Sequence, residues 1–184
     1  VLINRYIERL PKICVNGKEH RFINGIGYGI DGYCCEKGDE LRGKGNGEVN
    51  YTAIAIKGLL FHYKPTGATI TVDGVEHRFE KVWLAPTMIG RYYGGGMMPT
   101  PEQDRLNGDG AVSVMVYYGS GKLKSLAVFP SIFKGEHIKH SEMVAVLSGR
   151  NITVCFDEPR PLQIDGETVP GVREYSVTAC EEKV

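Results

Sequence analysis

Two carboxylates separated by one glycine, Asp165-Gly166-Glu167, form the triplet of this 184-residue chain whose residue types most directly suggest chemistry. Such a pair can hold Mg²⁺ or take a proton from an alcohol, since a carboxylate near a cation and a substrate hydroxyl can serve as general base. An acidic hairpin without chemistry has the same composition. The triplet sits in a turn used three times. Ile13-Cys14-Val15-Asn16-Gly17-Lys18-Glu19-His20-Arg21-Phe22 recurs as Ile70-Thr71-Val72-Asp73-Gly74-Val75-Glu76-His77-Arg78-Phe79, and Leu162-Gln163-Ile164-Asp165-Gly166-Glu167-Thr168-Val169 repeats only the centre. Asn-Gly or Asp-Gly between β-favouring runs signals a type I′ hairpin, whose two central residues need positive φ. In the first two copies a glutamate stands two residues after the glycine; in the third, Glu167 follows it directly. Side chains alternate with period two, so Glu167 is expected on the opposite sheet face from Glu19 and Glu76. Two hairpins read as structural and the third as a carrier of chemistry.

Two glycine clusters add further candidates. Asn24-Gly25-Ile26-Gly27-Tyr28-Gly29-Ile30-Asp31-Gly32 has the look of a dinucleotide loop, but no βαβ unit follows it, so its glycines read better as sites of close backbone approach or unusual φ. Tyr92-Tyr93-Gly94-Gly95-Gly96-Met97-Met98-Pro99 is the second cluster, and three consecutive glycines imply a sharp bend or backbone passing close to something. Downstream, in Arg105-Leu106-Asn107-Gly108-Asp109-Gly110, Asp109 and neighbouring carbonyls could hold a hard cation, or Asp109 could cap a plain turn. His137 and His140 lack the four-residue spacing of a helical zinc pair.

The elements that must position these residues are mainly strands. Gly 24 and Pro 9, set among short β-branched runs, favour a turn-rich antiparallel sheet protein, a sandwich or partly closed barrel. Strands are predicted over 13–15, 21–24, 69–72, 77–84, 111–118, 151–156, 162–164 and 173–178. Residues 51–63, with Asn50 as a cap and Pro65 as a stop, predict an apolar helix, and 122–133 a second one broken near Pro130. Residues 37–50, rich in glycine and charge, read as a mobile loop that could act as a lid. Lysine plus arginine and aspartate plus glutamate both number 22, so no net field draws nucleic acid. Five cysteines without a Cys-x-x-Cys pair fit buried thiols in a reducing cytosol. No apolar run approaches the roughly 20 residues of a spanning helix.

Taken together in order and spacing, Phe22-x-Asn24-Gly25-x-Gly27-x-Gly29-x-Asp31, Tyr93-Gly94-Gly95-Gly96-x-x-Pro99, Asp109-Gly110, Gly135-Glu136-His137 and Ile164-Asp165-Gly166-Glu167 resemble the C-terminal half of the diacylglycerol kinase-like lipid kinases. That family includes the sphingosine and ceramide kinases and is more distantly similar to NAD kinases. The resemblance covers nearly the whole chain. It implies a two-domain enzyme that moves the γ-phosphoryl group of ATP to a lipid hydroxyl, with a nucleotide-binding N-terminal half carrying a Gly-Gly-Asp-Gly-Thr motif that this sequence lacks. Residues 1–10 then read as a connector, and 11–184 as a β-sandwich-like acceptor domain with two or so covering helices, inactive alone.

The resemblance further assigns Glu167 as proton acceptor, with Asp165 beside it in the turn. It places Asp109, the Ala111 carbonyl and Leu106 at a cation site for Mg²⁺, with Gly108 a departure from the family pattern, an extra residue beside Asp109. Thr87, where relatives often have Asn, is a second departure. Asn24, Gly25, Gly27, Gly94, Gly95 and Gly96 become a glycine-rich cleft. Lipid contacts are expected from the apolar helix, Ile54, Ile56, Leu59, Leu60 and Phe61, and from Met97 and Met98. The implied partners are a lipid substrate, the N-terminal domain, a homodimer mate and, transiently, the inner membrane surface from the cytoplasm. The rival readings are a stand-alone lipid- or metabolite-binding sandwich without catalysis, and an NAD kinase-like phosphotransferase.

Overall fold

The computed structural model describes residues 10–44 and 50–180. Ten strands are joined in one antiparallel network: β1 (Lys12–Val15), β2 (Lys18–Arg21), β3 (Gly25–Tyr28), β4 (Thr66–Val72), β5 (Val75–Val82), β6 (Thr87–Met88), β7 (Val112–Tyr117), β8 (Val144–Gly149), β9 (Asn151–Ile164) and β10 (Glu167–Thr178). Their order is β2-β1-β10-β9-β3-β6-β7-β8, with the β4–β5 hairpin attached to β9 off that path. The mainly β architecture expected from the sequence is what forms.

The three Asx-Gly turns are type I′ as their composition requires, with φ of 51° and 72° at Asn16 and Gly17, 47° and 86° at Asp73 and Gly74, and 49° and 98° at Asp165 and Gly166. Glu167 pairs with Ile164 next to the turn, whereas Glu19 and Glu76 pair one step further out, with Cys14 and Thr71. The predicted inversion of face therefore holds in the register.

β9 unites two segments that the sequence analysis separates. Pro159 and Pro161 remove ladder donors between residues 156 and 162, yet the strand bends through them rather than ending. Its first half pairs with β4 and its second half with β3. β10 follows the bend through register shifts between Val169 and Glu174. A long strand that changes partners at a bulge is how a sheet turns the corner of a sandwich.

β7 is buried at all six positions. Val112, Val114 and Val116 enter one core with Ile13, Phe22, Ile26 and Phe156, while Met115 and Tyr117 enter a second with Trp83, Leu84, Phe129 and Ile132. A strand buried on both faces marks it as the wall between two packed layers.

Helices cover the second core. α1 runs Ile30–Gly43, α2 runs Tyr51–Lys57 and continues as a π turn over Gly58–His62, and α3 runs Lys122–Val128 into a 3₁₀ segment, Phe129–Lys134, with Pro130 at its start. The Asn50 carboxamide oxygen accepts from the Ala53 N–H at 3.0 Å, which confirms the predicted cap.

α1 corrects the loop predicted for 37–50: helix persists to Gly43, and residues 45–49 lie outside the described residues, as do residues 1–9 of the predicted connector. The glycines that suggested a loop instead permit packing. A Cβ on Gly32 would stand 2.0 Å from the Pro161 carbonyl oxygen, and one on Gly38 would stand 2.6 Å from the Tyr51 ring. Three short strands were also missed. β3 hides in the glycine cluster, β6 has two residues, and β8 falls where no strand is predicted. The predicted strand 21–24 ends at Arg21, because Ile23 and Asn24 turn a corner whose N–H groups go elsewhere.

Candidate functional site

The third turn is the hub of a polar network. The Asp165 carboxylate accepts from the backbone N–H groups of Ile23 at 2.6 Å, Asn24 at 2.9 Å and Gly25 at 3.0 Å. These three donors belong to the corner between β2 and β3, so one side chain ties the hairpin to the first glycine cluster across 140 residues of chain. Asp73 in the second turn does the same work elsewhere, accepting from the N–H groups of Arg150 and Asn151. Asp165 is therefore a positioning residue rather than a free carboxylate.

The network extends both ways from the turn. Asn24 Nδ2 donates to the Tyr92 carbonyl at 3.0 Å, and Arg105 donates to Asn24 Oδ1 at 2.7 Å and to the Ile23 carbonyl at 2.6 Å. On the other side, Gln163 Oε1 accepts from the Gly166 N–H at 2.6 Å, and its Nε2 donates to Asp31 Oδ2 at 2.9 Å. Gln163 and Thr168 face each other across β9 and β10, and both reach α1, Thr168 by donating to Asp39 at 2.8 Å. Glu167 and its partner Ile164 point to the other face. The Glu167 side chain is exposed and has no hydrogen-bond or ion-pair partner among the described residues.

Next to this network lies a cavity of about 960 Å³. Its lining is mixed: Asn24, Asp31, Gln163, Asp165 and Gly166 are among the polar and backbone contributors, and Ile30, Leu84, Met97, Phe129 and Phe133 among the apolar ones. Its size and mixed lining suit an amphipathic small molecule. Of the cleft residues named from the sequence, Asn24, Gly25, Gly94 and Gly95 line it; Gly27 and Gly96 do not. Gly27 is packed against the Asp31 carboxylate, with no room for a Cβ. Gly94, Gly95 and Gly96 take φ of 51°, 76° and 103°, a run of left-handed residues that explains the triple glycine and lets Tyr93 N–H reach the Met97 carbonyl at 3.0 Å. His137, fully buried, places Nε2 at 2.9 Å from the Pro99 carbonyl and holds the end of this loop.

Among the described residues expected as lipid contacts, only Met97 lines the cavity. Ile56 is exposed on α2, Met98 packs beneath Gly135, and the side chains of Leu59 and Leu60 lie outside the described residues.

Asp31, only a motif position in the sequence, is one of two carboxylates on the cavity lining, the other being Asp165. Burial pushes the Asp31 carboxyl up to about 6, against the lowering effect of the Gln163 amide. The buried Tyr93 hydroxyl nearby has no hydrogen-bond partner among the described residues, and burial raises its pKa well above the usual value. A polar Gln163 inside the apolar β9 run is the sequence signal that could have disclosed this corner. Since folded Asp31 holds its proton to higher pH than an unfolded aspartate, the native state binds more protons between about pH 4 and pH 6, and this group's contribution to stability falls as pH rises through that window. Asp31→Asn should leave stability at pH 4 nearly unchanged and raise it above pH 6 by up to about 3 kcal/mol, read from urea unfolding at both pH values.

The Asp109 loop does not fit a divalent cation as it stands. Asp109 Oδ1 accepts from the Ala111 N–H at 3.1 Å, which makes the plain capped turn. The Ala111 carbonyl already accepts from Gln103 Nε2 and Asn107 Nδ2, each at 2.8 Å. The Arg150 guanidinium donates to the Asp109 carbonyl and to that of Cys180 at 3.2 Å, placing a positive charge where a cation would bind. Leu106 is 80% exposed, its N–H turned to Asp104. No cluster of three His, Cys, Asp or Glu residues suitable for a metal occurs among the described residues.

The chain has named relatives. It is 29% identical over 163 residues to the diacylglycerol kinase of Mycobacterium tuberculosis, in strains CDC 1551 / Oshkosh and ATCC 25618 / H37Rv alike, an alignment covering 84% of this chain and 52% of each relative. It thus spans about half the length of the curated relatives it matches. In fold it is similar to the crystal structure of a candidate diacylglycerol kinase from Bacillus anthracis str. Sterne, with a TM-score of 0.62 at 16% identity over 94% of this chain and 54% of that one, and to a second structure from that strain with a TM-score of 0.58. A family model matches residues 24–178, a span that holds the corner at Asn24, the triple glycine and the Asp165 hub. The chain belongs to the YegS C-terminal NAD kinase beta sandwich-like domain family.

Proposed function

We propose that this chain is the acceptor-side domain of an ATP-dependent lipid kinase, which moves the γ-phosphoryl group to a lipid hydroxyl such as that of diacylglycerol. The observation that carries this reading is the cavity. Its lining combines apolar side chains able to take an acyl chain, such as Ile30, Leu84, Met97 and Phe129, with the protonatable Asp31 and the Gln163 amide, which could meet a glycerol-like head. The relatives named diacylglycerol kinase are consistent with it.

In this reading Glu167, which does not line the cavity but directly follows its lining residues Asp165 and Gly166, accepts the proton of a hydroxyl presented at the cavity's edge, and Asp165 fixes the turn that carries it. Phosphoryl transfer needs in-line placement and a group to orient the attacking oxygen, and both demand a rigid support. ATP, as its Mg²⁺ complex, binds mainly to a separate N-terminal domain, in keeping with a chain that spans half its relatives, and this chain alone is inactive. The enzyme works from the cytoplasm as a peripheral protein, at the membrane surface where a lipid acceptor would be met.

The test is phosphate transfer from labelled ATP by the full-length protein, offered diacylglycerol, a sphingoid base, an undecaprenyl-type alcohol and NAD in parallel. Labelling of a lipid is expected. Labelling of NAD alone, or of nothing, overturns the proposal.

A further inference from the structure

The charge balance of the whole chain conceals a local imbalance. Residues 51–64 and 122–134 contain Lys57, Lys64, Lys122, Lys124 and Lys134 and no aspartate or glutamate, in a chain with 22 acidic residues. These are the α2–π-turn segment and the α3–3₁₀ segment, which pack beside each other over the second core. All five lysines are exposed. Lys124 pairs with Glu142 at 2.9 Å, from a neighbouring loop.

Among the described residues, these two segments also carry Leu123 and Phe61, the most exposed large apolar side chains besides Leu106. Phe61 is 72% exposed on the π turn and Leu123 80% exposed on α3. Phenylalanine and leucine held outward among lysines are the composition of a surface that lies in the headgroup region of an anionic bilayer. The inner sides of these segments wall the cavity through Tyr51, Ala55, Phe129 and Phe133.

We infer that the face formed by α2, its π turn and α3 docks on an anionic lipid bilayer, with Phe61 and Leu123 inserted and the lysines against the headgroups. The inference rests on the proposed lipid acceptor for its purpose, since it puts the cavity wall against the membrane and gives a lipid a path to Asp31 that avoids bulk water. The docking itself depends only on the surface.

The test is co-sedimentation of the 184-residue chain with phosphatidylcholine vesicles, with and without phosphatidylglycerol. Binding to the phosphatidylglycerol vesicles is expected, weakened by added salt. The double variant Phe61→Ser with Leu123→Ser, whose exposed positions leave the unfolding transition in place, should lower the partition coefficient roughly tenfold or more. Lys57→Gln with Lys64→Gln should weaken binding only where the anionic lipid is present. A wild type that stays in the supernatant, or binds no better than the Ser variant, overturns the inference. So does a concentration-dependent dimer abolished by the same Ser substitutions without vesicle binding. Vesicle binding by a protein whose full-length form phosphorylates only a soluble acceptor would remove the proposed function and leave this surface standing. Lipid phosphorylation without vesicle binding would do the reverse.

Discussion

In the full-length protein, Glu167→Gln should lower kcat for lipid phosphorylation by roughly 100- to 10,000-fold, the usual range for loss of a general base, with little change in KM. The substitution is nearly isosteric and removes only the ability to take a proton. Because Glu167 is exposed and has no partner among the described residues, the unfolding midpoint should not move. Glu19→Gln and Glu76→Gln make the control. They stand in hairpins with the same turn but one register step further out, on the other face, and should turn over like wild type. Normal turnover by Glu167→Gln would end its assignment as proton acceptor. Equal losses in all three variants would show that a glutamate near a hairpin matters for a reason other than proton transfer.

Asp165→Ala is expected to destabilise the fold by about 4 kcal/mol. It strips three backbone N–H groups of their acceptor, of which that of Gly25 is the most enclosed, and it puts alanine at a φ of 49°. Asp165→Asn separates the two causes. Asparagine tolerates the left-handed region and keeps one acceptor oxygen, so the loss should fall to about 1–2 kcal/mol. Guanidinium unfolding measures both, with the denaturant dependence unchanged if the folded state keeps its compactness. A midpoint equal to wild type in the Ala variant would mean that the clamp contributes nothing to stability. In the full-length enzyme even the Asn variant should be slower, since a looser turn moves the residue that follows it.

What can be read from the sequence here follows the range of the interaction involved. The three turns are legible because positive φ at Asx-Gly is a local requirement. The two covering helices at 51–63 and 122–133 are legible because the Asn50 cap and the break at Pro130 are local too. α1 is not, since Gly32 and Gly38 look like loop residues until Pro161 and Tyr51 are seen lying against them. The role of Asp165 is equally hidden: its carboxylate side chain suggested chemistry, and only the fold shows its partners 140 residues away. The Ala111 carbonyl failed as a free ligand for the same reason, being engaged by Gln103 and Asn107. The register of Glu167 was legible, because its difference from Glu19 and Glu76 is a one-residue shift inside a local repeat.

The pairing of β3 with β9 and of β1 with β10 has a consequence for how the protein is made. These ladders join segments near the two ends of the described chain, and contacts of such sequence separation form slowly because a long loop must close first. During synthesis, β1 to β8 emerge with the β3 edge still unpaired and the corner donors of Ile23, Asn24 and Gly25 facing solvent. The corner, the hairpin and the cavity wall can come together only after β9 and β10 have left the ribosome, so a stalled or truncated chain would expose apolar strand edges and be prone to aggregate.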